Sequence, residues 1–246
     1  MLLLDVGNTS VNWCIHHAGH IETTGQFLHQ GVDLDAQAHK AWGALPVPEK
    51  IVVANVAGRN PADGLSAWTM GQWGLKPEAI TVSASACGVT NAYASPSNLG
   101  VDRWAALVGA HQHYSGAVCI VDCGTAVTVD LLTAEGEHQG GLIMPGTDML
   151  QQLLMTGTVA INESGSSRIA TLLASDTDAA FNGGAIYMVV AAIDRVVADM
   201  TAGYDGSVET LITGGDASRI LPLLAAPVHH DPDLVLKGLA ILSEGE

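Results

Sequence analysis

Two short segments carry most of the chemistry this sequence can offer. Asp5-Val6-Gly7-Asn8-Thr9 recurs in altered form as Asp122-Cys123-Gly124-Thr125-Ala126. Each copy follows an apolar run and precedes another, so each reads as strand, sharp turn, strand. The carboxylate ends a buried strand, the glycine lets backbone approach a ligand, and the following Asn or Thr supplies hydrogen-bonding groups. Two such turns facing each other across a cleft could hold a polyphosphate and its metal ion. Asp-x-Gly alone is common in ordinary hairpins. Two copies in matching contexts, about half the chain apart, point to a duplicated domain. A third segment, Thr213-Gly214-Gly215-Asp216, falls where a strand gives way to a helix; its glycines would let a flat ligand lie on backbone, and a helix N-terminus favours an anion. The fourth is Gly100-Val101-Asp102-Arg103. An acid in the first turn of a helix is favoured electrostatically whatever its function. Equally, Asp102 could take a proton from an alcohol, and Arg103 could grip an acidic substrate through its planar fork.

Composition narrows the partners. The 246 residues carry 9 Lys+Arg against 25 Asp+Glu, a formal charge of −16, so there is no cationic surplus with which to bind nucleic acid or an anionic membrane. A nucleotide substrate would need its own charge offset, most simply by Mg²⁺. No apolar segment approaches a membrane span, and Met1–Leu4 is too short for a signal-peptide core. The four cysteines, Cys14, Cys87, Cys119 and Cys123, form no Cys-x-x-Cys pair and no zinc spacing with histidine. These features lead us to expect a reduced, cytoplasmic protein. His229 and His230 read as surface residues without metal partners at suitable spacing, His111 and His113 diverge at i,i+2 spacing on a helix, and Trp68, Trp73 and Trp104 read as core.

The elements that must position these residues follow from periodicity and punctuation. Strands are expected at Leu2–Asp5, Val11–His16, Ile21–Phe27 and Ile51–Val56, with a short one near Ile80–Val82. Helices are expected at about Asp33–Ala44, Pro61–Trp73 and Asp102–His113, and Cys87–Asn98 reads as loop. The pattern restarts with strands Ala117–Val121, Val127–Leu132 and Gly141–Met144, then a helix from Pro145-Gly146 to about Met155. Asn162–Arg168 reads as a polar, Gly/Ser-rich loop. A long helix over Asp178–Met200, a strand over Val208–Ile212, a helix reaching Leu224, a short strand at Val228 and a final helix over Asp233–Leu242 complete the chain.

In this order the three Gly-containing segments resemble the phosphate, phosphate and adenosine segments of the actin/hexokinase/Hsp70 superfamily. More specifically, the chain resembles the type III pantothenate kinases. Asp5-Val6-Gly7-Asn8-Thr9 is similar to their Asp-x-Gly-Asn-Thr. Tyr93, Pro96 and Leu99-Gly100-Val101-Asp102-Arg103 are similar to their Tyr…Pro…Leu-Gly-Ala-Asp-Arg segment. Asp122 to Thr128 resembles Asp-x-Gly-Thr-Ala-x-Thr, and Gly140-Gly141-x-Ile143-x-Pro145-Gly146 resembles Gly-Gly-x-Ile-x-Pro-Gly. Thr213–Asp216 and Leu236-Lys237-Gly238-Leu239 match the C-terminal blocks. The resemblance implies an α/β fold of two duplicated ribonuclease-H-like (actin-like ATPase) domains, 1–115 and 116–246, with a cleft between them. It implies ATP-dependent phosphorylation of pantothenate to 4′-phosphopantothenate, the first step of coenzyme A biosynthesis.

Residue by residue, the resemblance implies that Asp5, Val6, Gly7, Asn8, Thr9, Ser10, Val11 and Asn12 bind ATP, with Asp5 on Mg²⁺. Thr125, Gly214 and Gly215 would also contact ATP, and Asp122 would hold K⁺ or NH₄⁺. Tyr93, Gly100, Val101, Asp102 and Arg103 would bind pantothenate, with Asp102 as proton acceptor. Thr177 would reach the substrate of a partner chain, which makes the expected assembly a homodimer with its active site at the interface. The chain departs from the family at Asn12, where a Lys is usual, at Val101, where Ala is commoner, and around Thr158, Ala160, Ile161 and Asn162. Two other readings stand beside this one: another small-molecule kinase of the same fold, or a nucleotide-binding regulatory protein without turnover.

Overall fold

A computed structural model describes residues 1–157 and 171–245; the expected Asn162–Arg168 loop and the departures at 158–162 lie outside the described residues. In chain order the elements are β1 (Leu2–Val6), β2 (Ser10–His17), β3 (His20–Leu28), α1 (Leu34–Trp42), β4 (Ile51–Asn55) and α2 (Arg59–Trp73). Then come β5 (Glu78–Ala79), β6 (Ser85–Ala86), β7 (Val89–Thr90), α3 (Val101–His113), β8 (Ala117–Cys123), β9 (Ala126–Leu132) and β10 (His138–Pro145). The remainder is α4 (Thr147–Gly157), α5 (Thr177–Ala202), β11 (Val208–Thr213), α6 (Ala217–Ile220), β12 (His229–His230) and α7 (Leu234–Glu244). They fall into two compact units: 1–115 with 132–139 and 233–246, and 116–131 with 140–232.

The first unit is built around β1. Leu2, Leu3, Leu4 and Val6 are fully buried because β1 is the middle strand of a five-stranded sheet, β3-β2-β1-β4-β5, covered on both faces. It pairs antiparallel with β2 and parallel with β4, and the register sets Asp5 opposite Asn12 on one side and Ala54 on the other. On one face α1 and α2 bring Trp42, Leu65 and Trp68 against Leu2, Leu4, Val11 and Trp13. The rings meet edge to face: Trp42 lies 6.2 Å from Trp13, 5.1 Å from Phe27 and 5.6 Å from Trp68, and Trp73 is 5.0 Å from Trp68. The other face carries α3 and α7. Their backbones touch where each has a glycine: a Cβ on Gly238 would strike the Ala105 carbonyl, and one on Gly109 the Leu234 carbonyl. Trp104 on α3 is wholly buried, and all five tryptophans lie in this unit.

The second unit repeats the plan. Its sheet runs β10-β9-β8-β11-β12, the same order counted from its own first strand, and β8 pairs parallel with β11 so that Asp122 faces Thr213. Against this sheet α5 lays Ile186, Val189, Val190, Ile193 and Val197, spaced three and four apart, onto Cys119, Val121, Val127 and Val129. Its start is fixed by Asp176, whose carboxylate accepts from Ala179 N at 2.8 Å.

The differences from expectation are short elements. The strand expected at Ile80–Val82 lies at Glu78–Ala79, because its parallel ladder ends where Ile80 N reaches Val53 O. The 87–98 loop contains β7, paired antiparallel with β6, and a 3₁₀ turn at Pro96–Asn98. The helix after Gly215 is a single turn, α6, followed by a 3₁₀ turn at Leu221–Leu223, where Pro222 cannot continue the α-helical bonding. So short a helix offers little dipole for an anion. The strand expected at Val228 lies at His229–His230.

Candidate active site

In the first unit the β1–β2 turn is closed from within. Gly7 N donates to Ser10 O at 3.0 Å, and Thr9 O accepts from His29 N at 3.1 Å. The His29 ring completes the clasp, its Nε2 lying 2.7 Å from Gly7 O. Val6 and Val11 are fully buried, so only their backbone could meet a ligand. Asn8 is exposed, Thr9 is half-buried, and Ser10 Oγ accepts from Gln26 Nε2 at 3.1 Å. At the strand end Asn12 Nδ2 donates to Asp5 Oδ2 at 3.1 Å and so orients that carboxylate. Burial raises the Asp5 pKa to about 7, the Asn12 hydrogen bond pulls it down, and the Asp102 charge pushes it up. Asp5 and Asp102 are therefore electrostatic neighbours.

Asp102 sits in the first turn of α3, where its Oδ1 accepts from Arg103 N at 2.7 Å. A Cβ on Gly100 would meet that oxygen, so a side chain there would turn the carboxylate out of this position. Arg103 is 4% exposed and donates from Nη1 to the Tyr93 hydroxyl at 2.9 Å. Tyr93 in turn stacks on buried His138, with centroids 6.1 Å apart and planes inclined by 14°. Its backbone N donates to Asn91 Oδ1 at 2.9 Å. Tyr93, Gly100, Val101, Asp102 and Arg103 are thus one cluster, and Asp5 belongs with it.

In the second unit Asp122, Gly124 and Thr125 form the β8–β9 turn, with Gly124 N donating to Ala126 O at 3.1 Å. Two further segments close on it. Gly146 N donates to Thr125 O at 3.0 Å, and a side chain on Gly146 would strike the carbonyls of Gly124 and Thr125. Gly214 adopts φ +93°, and a Cβ there would strike the Asp122 carboxylate and the Cys123 carbonyl. Asp216 N then donates to Cys123 O at 2.9 Å. Thr125 and Gly215 stand exposed at this edge. Thr177 is exposed as the first residue of α5.

Sequence reasoning missed His29, His138 and Arg219. Nothing in the spacing of ten histidines marks two of them as clasps. Arg219, three residues after Asp216 in a chain poor in cations, was a readable signal. It donates from Nη1 to Asp216 Oδ1 at 3.1 Å and to Asp148 Oδ1 at 3.4 Å. The buried thiols Cys14 and Cys119 are pushed up to about 12, first by burial and then by Asp233 and Asp130 respectively, which leaves them unreactive. Among the described residues no three His, Cys, Asp or Glu side chains converge on a metal position. A single partly buried carboxylate such as Asp5 could hold a hard cation whose shell is completed by oxygens of a bound phosphate and water. The raised pKa of Asp5 fits the same account, since a desolvated carboxylate gains most from a cation.

The repeated sheet order and the paired strand-end aspartates define the class: a duplicated α/β protein of the actin-like ATPase and sugar-kinase fold. Glucokinase of the ROK family from Streptomyces griseus, solved with glucose and AMPPNP, has this fold; it is 13% identical, covers 99% of both chains and superposes with a TM-score of 0.50. The family model described as type III pantothenate kinase matches residues 1–199. A type III pantothenate kinase from Nitrosococcus oceani is 43% identical over 98% of this chain and 92% of its own, and one from Nitrosomonas eutropha is 36% identical over 99% and 94%. The chain belongs to the type III pantothenate kinase family.

Proposed function

We propose that the protein transfers the γ-phosphoryl group of ATP to the primary hydroxyl of pantothenate, giving 4′-phosphopantothenate for coenzyme A synthesis. The observation that carries this reading is the Asp102–Arg103–Tyr93 cluster placed beside Asp5. Asp102 accepts the hydroxyl proton as the new O–P bond forms and the bond from the γ-phosphorus to the β-bridging oxygen breaks. Pantothenate lies along Tyr93, Gly100 and Val101. Arg103, almost buried, holds the Tyr93 hydroxyl and adds positive charge beneath the substrate carboxylate. The turn from Asp5 to Asn12 and the residues Thr125, Gly214 and Gly215 bind ATP. Mg²⁺ at Asp5 and K⁺ or NH₄⁺ at Asp122 would offset the charge of the triphosphate.

The same reading includes a homodimer in which Thr177 serves the partner's substrate. Its support is the outer face of α5, where Thr177, Ala180, Gly184, Met188 and Ala191 are exposed at helical spacing, Met188 at 57%. Leu172 and Leu173 beside its start are 71% and 90% exposed. So much open apolar surface fits a face that a second copy covers. No described helix is long and apolar enough to cross a membrane; a cytoplasmic location is part of the same reading and follows from the expectation of a reduced protein. An ATP-dependent phosphorylation assay with pantothenate, run with and without K⁺, tests the function. Turnover of hexoses in preference to pantothenate would assign another kinase of this fold, and ATP binding without turnover of either would assign a regulatory role.

A further inference from the structure

Arg219 belongs to neither the pantothenate cluster nor the phosphate turns, yet it ties three segments together. One guanidinium nitrogen donates to Asp216 at the end of the Thr213–Asp216 turn and to Asp148 in the first turn of α4. Its Nε is buried without a hydrogen-bond partner among the described residues, a state that costs free energy and needs a reason. The turn is also tied to the rest of the unit through backbone, and Ala217 and Ile220 just after it are buried in the core. Asp216 N reaches Cys123 O, Gly214 lies on Asp122 and Cys123, and α4 begins where Gly146 lies on Gly124 and Thr125. The helix behind the turn, α6, is only four residues long and is seated in the core by Ala217 and Ile220. Arg219, on that single turn, adds a side-chain tie from Asp216 to Asp148 of α4.

We propose that Arg219 is a positioning residue for the nucleoside of ATP: by bridging Asp216 and Asp148 it fixes the flat Gly214-Gly215 backbone on which the purine and ribose lie. The proposal rests on the assignment of that turn to the nucleotide above. It makes Arg219 act on nucleoside affinity, through the turn, and leaves the triphosphate and pantothenate contacts to other residues.

The test compares wild type with Arg219→Met, Arg219→Lys and Asp148→Asn. Melting temperatures establish that each is folded, and calorimetry measures binding of ATP, adenosine and inorganic triphosphate without turnover. With Arg219→Met, ATP and adenosine should both weaken by about tenfold, the scale of a lost charged hydrogen-bond pair. Inorganic triphosphate and the KM for pantothenate should stay within roughly twofold of wild type. Arg219→Lys should recover part of the loss, since a point charge can still meet one carboxylate. Asp148→Asn, at an exposed carboxylate, should shift adenosine in the same direction by less, and it decides the matter if Arg219→Met does not fold. Unchanged adenosine binding in a folded Arg219→Met protein overturns the proposal. So does equal weakening of adenosine and inorganic triphosphate, which would make Arg219 a phosphate contact. Wild-type protein that binds adenosine but does not phosphorylate pantothenate would remove the kinase reading and leave the role of Arg219 to stand or fall by the binding data.

Discussion

At the scale of single residues, Asp5 is placed at the expense of stability. Its carboxyl is raised from 3.8 to about 7 by burial, partly relieved by Asn12 and worsened by the Asp102 charge. Below about pH 4 the group is protonated in both folded and unfolded chains and has no effect on their balance. As pH rises towards 7 the unfolded chain gives up its proton first, so the folded state loses stability across that window. In metal-free protein, Asp5→Asn should abolish this fall and raise the melting temperature at pH 8, by up to a few kcal/mol in stability, while removing most activity. Thermal melts from pH 4 to 8 check it; an Asn variant that melts lower than wild type at pH 8 contradicts the assignment. Asp102→Asn has a different signature. As the proton acceptor, its loss should lower kcat by about 10²–10⁴-fold while ATP binding survives. A variant keeping more than roughly a tenth of wild-type kcat would remove Asp102 from that role.

At the scale of elements, the helix that carries Asp102 and Arg103 is held by a glycine contact one turn further along it. Gly238 of α7 lies directly on the Ala105 carbonyl of α3. Gly238→Ala must therefore push the two helices apart, costing about 1–3 kcal/mol and shifting the first turn of α3. Denaturant unfolding should show the lost stability, and kcat should fall more than ATP affinity. Equal stability of the two proteins would mean that α7 is not what fixes α3. This contact also marks how far the sequence could be read. Leu236-Lys237-Gly238-Leu239 matched a family block, but only the structure gives its glycine a task. The long elements were legible because burial writes a period into them: the unbroken apolar run of β1, and the three-and-four spacing of α5. Of the two-residue strands, β5 and β12 were expected close to their places, whereas β6 and β7 were not, since they are defined by a neighbour's ladder and not by their own pattern. The Asp5 and Asp102 clusters were visible as motifs, whereas the His29 and His138 clasps are contacts between residues 22 and 45 positions apart in the chain (Gly7 to His29, Tyr93 to His138), which no local spacing encodes.

At the scale of the whole molecule, a chain of net charge −16 must bind a triphosphate with only nine cationic side chains. Turnover should therefore depend on K⁺ or NH₄⁺ and fall sharply in Na⁺ alone, and Asp122→Ala should lose the response; equal rates in K⁺ and Na⁺ would count against a dedicated monovalent site. The proposed dimer has its own test. Asp102→Asn and Thr177→Arg chains, each inactive alone, should regain about half of wild-type activity per mixed dimer if each site draws on both chains. Verified mixed dimers without recovery, or a monomer at assay concentration, would sink the shared site. The Trp13–Trp42–Trp68–Trp73 chain of rings, with Trp104 buried in the same unit, has a consequence for how the protein can be watched. Every indole lies in one unit, so near-ultraviolet excitation of tryptophan sees that unit alone, while backbone circular dichroism sees both. Nature has in effect labelled one half of a duplicated protein with a fluorophore. Coincident transitions by the two signals would mean that the copies melt as a single cooperative body, and separated ones that duplication left two folding units still independent.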